Sequence, residues 1–224
     1  MRLSPLPAAV ATLAVAAVSA APASAKIIDV GRTDATPACP ASPCLALSRT
    51  TGYQVKVGDQ RGAFTIPADG RIVAWSIALG TPTKKQIAFF NKGLGGAASA
   101  GITLLRPGRH VYSRVMASGP IVQLQPYFGE TVQFPLATSI PVKKGWVVAL
   151  TVPTWAPALT PLLSDHSAWR ASRPIRKCSD TAKQTAQMNR LDLAQYNCLY
   201  KARLTYAATL ITNPAPTKPA SGGR

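Results

Sequence analysis

Apolar and polar residues alternate along most of this chain in short runs, and the runs are broken by Gly, Pro, Asn and Asp. Tyr53, Val55 and Val57 alternate with Gln54 and Lys56. Val73, Trp75, Ile77 and Leu79 share one parity, and Trp146, Val148, Leu150 and Val152 share another. The longest run places Tyr200, Ala202, Leu204, Tyr206, Ala208 and Leu210 on one face, against Lys201, Arg203, Thr205 and Thr209. A period of two sorts side chains onto opposite faces of a strand. Shorter runs at 62–66, 86–90, 102–106, 111–116, 121–125 and 132–134 read as further strands. About ten strands without long helices between them predict an all-β fold, an antiparallel β-sandwich of jelly-roll type. Residues 181–193, rich in Ala, Gln and Lys, read as a short helical or irregular insert.

The ends carry different signals. Arg2, the apolar run 8–21 and the small residues Ala23 and Ala25 form the pattern of a secretory signal peptide. Cleavage is expected after Ala25, with Lys26 as the new N-terminus. The apolar run is short and weakly apolar for a hydrocarbon core that takes about 20 residues to cross, so no transmembrane segment is expected in the mature chain. With no Cys at the cleavage site, a lipid anchor is not expected either. Residues 26–45 then form an N-terminal arm and 46–212 the sandwich. The Pro, Ala, Ser and Gly of 213–224 make a disordered tail, because such a composition cannot bury a core.

Four cysteines in an exported chain point to two disulfides. Of the three possible connectivities, Cys39–Cys44 and Cys178–Cys198 are favoured, since each pair brackets a loop-like stretch. No metal-ligand spacing competes, and both histidines are far from the cysteines in sequence.

Charge changes the picture of partners. Removing Arg2 from 25 basic residues leaves 24 against 8 acidic ones, a net charge of +16. Such a field attracts polyanions. For an exported chain it favours an anionic polymer or glycan of the cell envelope over specific nucleic-acid reading.

Candidate chemistry is sparse. Residues 93–98, Gly-Leu-Gly-Gly-Ala-Ala, match a dinucleotide fingerprint in letters only. The chemistry needs a helix after the glycines, and a strand-like run follows, so the segment reads as a hairpin loop without a cofactor. Ser164, Asp165 and His166 are adjacent, and neighbours on one strand rarely converge on one substrate atom. His110 reads as a turn residue. One glutamate, Glu130, and aspartates in turn contexts such as Asp59 and Asp69 do not make the paired carboxylates of a glycosidase. Asp69, in a Pro-x-Asp-Gly turn, is placed to hydrogen-bond backbone.

One segment stands apart, residues 153–177. It reads as a long Pro-rich loop with Trp155 and Trp169, ending in Arg170, Arg173, Arg176 and Lys177. Aromatic rings beside cations suit an anionic or glycan ligand. The competing reading has the tryptophans capping the sandwich and the arginines solvated. Trp75 and Trp146, in alternating strands, read as core.

Two corners echo each other. Thr65-Ile66-Pro67-Ala68-Asp69-Gly70 leads to Ile72 and Trp75, and Ile140-Pro141-Val142 leads to Gly145. In these corners and its signal peptide the chain resembles uncharacterised secreted β-sandwich proteins of actinobacterial type. The resemblance implies the fold and export, and brings no catalytic residue. The expected function is therefore a non-catalytic binding or structural domain. The alternative is a secreted hydrolase of a polysaccharide or ester, for which Asp165 and His166 are the nameable residues.

Overall fold

A computed structural model describes residues 24–39, 44–161, 166–174, 176–179 and 186–214. The signal-peptide run, Ser164, Asp165, residues 180–185 and the tail from 215 lie outside the described residues. The strands are β1 (Ile27–Arg32), β2 (Leu47–Val57), β3 (Gln60–Arg61), β4 (Gly70–Ala78), β5 (Ser99–Pro107), β6 (Tyr112–Ser118), β7 (Val122–Gln123) and β8 (Thr131–Val142). They continue as β9 (Val147–Ala156), β10 (Leu159–Pro161), β11 (Ser167–Ala171), β12 (Leu193–Gln195), β13 (Cys198–Tyr200), β14 (Ala202–Leu204) and β15 (Tyr206–Thr212). Among the described residues one α-helix, α1 (Lys84–Gly93), interrupts them.

Two antiparallel sheets make the sandwich. The smaller has the order β1-β15-β4-β8. The larger runs β12-β6-β5-β9-β2-β11-β13, with β3 beside β2 and β7 beside β5, and β10 pairs with β14 alone. The core lies where their apolar parities meet. Ile72, Trp75, Ile77 and Tyr206 come from the smaller sheet, and Ile102, Leu104, Val148 and Leu150 from the larger. Tyr206 donates its hydroxyl to the Val148 carbonyl at 2.9 Å, so this polar atom is satisfied between the sheets. Trp146 is only half-buried and packs against the margin of the core.

The two echoing corners meet each other. Gly70, Arg71 and Ile72 pair with Val142, Pro141 and Ile140. Asp69 does bind backbone, but that of the other corner: its carboxylate accepts the Lys144 amide and the Lys143 ammonium, each at 2.8 Å. These two bonds, the Lys143 one first, hold its pKa below the ordinary carboxylate value.

Four sequence expectations change here. Residues 86–90 are helix, not strand. Thr83 caps α1 and exchanges bonds with Gln86, whose amide donates to the Thr83 hydroxyl and whose side chain accepts the Thr83 amide. This capping box overrides the short apolar run. The glycines 93–96 consequently join a helix to a strand and form no hairpin loop. Residues 62–66 hold a turn and one isolated bridge, Thr65 to Val147, not a strand, whereas within 181–193 the described residues 186–192 are irregular as expected and Leu193 opens β12. Lastly, 153–177 is no single long loop, because β9 continues to Ala156 and β11 occupies Ser167–Ala171. Pro153 is tolerated in β9 because the register against β2 shifts there, opposite Arg49 at φ 43°.

Both disulfides have the expected connectivity, Cys39–Cys44 and Cys178–Cys198. The second closes the insert that lies over the outer face of the larger sheet. Beneath it a row of hydroxyls crosses four strands. Ser118 meets Thr103 at 3.2 Å, Thr103 meets Thr151 at 2.6 Å, and Thr151 meets Thr51 at 2.9 Å. The row ends on the insert, where Ser118 and Thr51 donate to the Met188 and Gln187 carbonyls, both at 3.1 Å. The insert thus has a polar seat instead of an apolar one.

Candidate anion-binding groove

The expected cluster of tryptophans and arginines does not form one surface. Trp155 is fully buried, with its indole N–H donating to Asn91 Oδ1 at 2.9 Å and to the Gly96 carbonyl at 3.1 Å. Its ring packs between Phe90 and Phe128, with centroids at 4.8 and 5.5 Å. Trp169 is 3 % exposed, stacks on Tyr200 and lies against Gly52, where a Cβ would come within 2.6 Å of its ring. The two rings are core, so neither can stack on a ligand. The strands that replaced the expected loop turn them inward.

The cations divide. Arg173 is 5 % exposed and donates to the Tyr200 hydroxyl, the Ser48 carbonyl and the Cys178 carbonyl at 2.6, 3.2 and 3.4 Å. It is a structural clamp. Arg176 and Lys177 are exposed beyond β11. Arg170 enters a concave site. Strand alternation explains this, since Trp169 points into the core and its neighbour Arg170 must point out.

That site is a groove of about 380 Å³ lined by Val55, Lys56, Arg61, Ala168, Arg170, Leu199 and Lys201. Four of these carry positive charge and none carries a carboxylate. Pairing across the sheet builds it. Arg170 lies between Tyr53 of β2 and Leu199 of β13. The two-residue turn Gly58-Asp59, with Gly58 at φ 58°, folds β3 back on β2 and sets Arg61 directly opposite Lys56. Directly opposed like charges weaken a strand pair. In a second such pair, Arg106 opposite Arg114, Arg114 donates to the Leu191 carbonyl.

Arg170 is aimed by the disulfide-closed segment. Its guanidinium donates to the Tyr196 carbonyl at 3.0 Å and the Asn197 carbonyl at 3.4 Å, just before Cys198. Tyr53 beneath it has its phenol pKa raised by burial, partly offset by the positive charge of Arg170. Such a site can hold an anion by charge and by the fork of guanidinium donors. Its described lining residues include no Ser, Thr, Cys or His, and no group of three or more His, Cys, Asp or Glu able to hold a metal occurs among the described residues. His110, at φ 51° in the turn before β6, and His166 are both exposed and lie outside the groove.

Sequence reasoning missed Lys56, Arg61, Leu199 and Lys201 as groove residues. The available signal was the Gly-Asp turn between Val57 and Gln60, which fixes the hairpin register and so the Lys56–Arg61 pair.

Fold and groove define an antiparallel β-sandwich with a cationic groove on its larger sheet. No family model, curated protein or solved structure matches the chain.

Proposed function

We propose that this chain is an exported, non-catalytic binding domain that holds to an anionic or glycan-rich surface of the cell envelope through the groove at Lys56, Arg61, Arg170 and Lys201. The observation that carries this reading is the convergence of four cations, from β2, β3, β11 and the residue after β13, on a concavity with no carboxylate among its described lining residues. The two disulfides fit an oxidising compartment. No helix among the described residues is long and apolar enough to cross a membrane. The formal charge of +16 left once Arg2 is removed would draw the domain to a polyanion from a distance, and the groove would give that attraction a fixed place.

The test is binding of the purified mature chain to an anionic glycan, with a neutral glycan as reference, across a salt series. The proposal expects retention of the anionic polymer alone, falling steeply as salt screens charges over about 8–10 Å. Equal retention of both glycans, or none of either, contradicts it.

A further inference from the structure

The floor of the groove narrows the chemistry of its ligand. Polyanions built from rings, such as uronate polysaccharides and single-stranded nucleic acid, are held in part by stacking on aromatic faces. This groove offers none. Its floor is Val55, Ala168 and Leu199, all aliphatic, and Leu199 is 53 % exposed between the cations. The aromatic rings on the strands that build the groove are engaged with one another. Trp169 and Tyr200 stack on each other, and Tyr53 packs against Tyr196 at 5.3 Å. The strongly exposed Phe89 belongs to α1 and lines no part of the groove.

The cations also reach the groove from separate elements. Arg61 lies on the hairpin, Arg170 in the middle of the sheet, and Lys201 just past β13. A carboxylate is planar and presents both oxygens to one side. A phosphodiester is tetrahedral, and its two non-bridging oxygens can meet donors from different directions. A single exposed leucine is too little apolar surface to enter a bilayer, so an extended chain fits the concavity better than a lipid surface.

We infer, on the basis of the binding reading above, that the groove of Arg61, Arg170 and Lys201 over Val55, Ala168 and Leu199 takes an open-chain phosphodiester polymer, phosphates joined by aliphatic polyol units. The phosphates meet the guanidinium and ammonium groups, and the polyol carbons lie along Leu199. No bond is made or broken. Binding is an exchange of small counterions for the phosphates and therefore depends on salt.

The experiment measures binding of the mature, oxidised chain to four probes at equal charge concentration and low salt. They are polyglycerol phosphate, polygalacturonate, polyglutamate and vesicles containing phosphatidylglycerol. Polyglycerol phosphate should bind at least about tenfold more tightly than either carboxylate polymer. Arg61→Glu should abolish that advantage. Arg61→Lys, which keeps the charge and loses the fork, should reduce it several-fold. An unchanged thermal midpoint shows that the variants are folded. If all three polymers bind alike and all are lost in Arg61→Glu, the groove still binds anions but the phosphodiester inference is overturned. If the vesicles bind and the polymer does not, the inference is overturned in favour of a lipid source of the same phosphate. Binding of no probe, or binding indifferent to Arg61→Glu, removes both this inference and the function it rests on.

Discussion

Arg173 and Tyr200 hold each other in place beside the core. The guanidinium donates to the phenol oxygen at 2.6 Å and lies 5.3 Å from the ring centre, and the phenol in turn donates to the Cys178 carbonyl. Arg173→Ala would leave the Ser48 carbonyl and the Tyr200 oxygen short of a donor. A loss of about 2–4 kcal/mol is expected in denaturant unfolding, because buried groups left unpaired bear the full cost of desolvation. Polyanion affinity measured well below the midpoint should be nearly unchanged. A stable variant that fails to bind would place Arg173 in the ligand site instead.

The strand pattern was the legible part of this chain. Alternation at Tyr53–Val57, Trp146–Val152 and Tyr200–Leu210 marks β2, β9 and the final strands, because burying one face against a second sheet imposes a period of two. The disulfide pairing was legible for a local reason, since each pair closes a short loop. The helix α1 was not, because an apolar stretch of five residues fits either element and the Thr83–Gln86 box decided it. The site was legible only at Arg170. Trp155 and Trp169 have the letters of a ligand platform, and whether a ring faces in or out depends on strand register, which the segment 153–177 does not reveal. Lys56 and Arg61 pair across a local hairpin whose Gly-Asp turn the sequence does signal, whereas Lys201 is far from both in sequence and joins them only through the order β3-β2-β11-β13.

Trp155 separates packing from hydrogen bonding. Trp155→Ala should cost about 3–5 kcal/mol, the range for deleting a buried aromatic. Trp155→Phe keeps much of the contact with Phe90 and Phe128 but leaves Asn91 Oδ1 and the Gly96 carbonyl without their donor, and should cost about 1–3 kcal/mol. Thermal and denaturant unfolding of the two variants would check the order. A Phe variant as damaging as Ala would show that the indole N–H carries the site.

The hydroxyl row predicts that Thr151→Val is not a benign isostere. Thr51 and Thr103 both meet the Thr151 hydroxyl, and a methyl there removes one buried hydrogen bond from each. A loss of about 1–3 kcal/mol is expected. Faster hydrogen exchange should appear at Gln187, whose amide donates to Thr51 at 2.9 Å. Exchange unchanged at Gln187 would show that the insert is held independently of the row.

Acid should weaken the join between the two corners. The pKa of Asp69 is lower in the folded chain than in the unfolded one, so its stabilising contribution is complete above the ordinary carboxylate pKa. It is lost as pH falls through the depressed folded value. Asp69→Asn should therefore be less stable than the parent at neutral pH, and the difference should shrink as the pH is taken below about 4. A difference independent of pH would show that Asp69 acts through its shape and not its charge.

On the proposed function, a defined groove and not diffuse positive charge binds the anionic partner. The most direct measurement compares the low-salt affinity of Arg61→Glu for polyglycerol phosphate with that of Lys85→Glu. The second variant makes the same charge change on the exposed face of α1, away from the groove. Arg61→Glu should bind at least about tenfold more weakly than the parent, a change of about 1.4 kcal/mol, while Lys85→Glu stays close to it. Equal weakening by the two reversals would contradict the account and leave the charge a property of the whole surface.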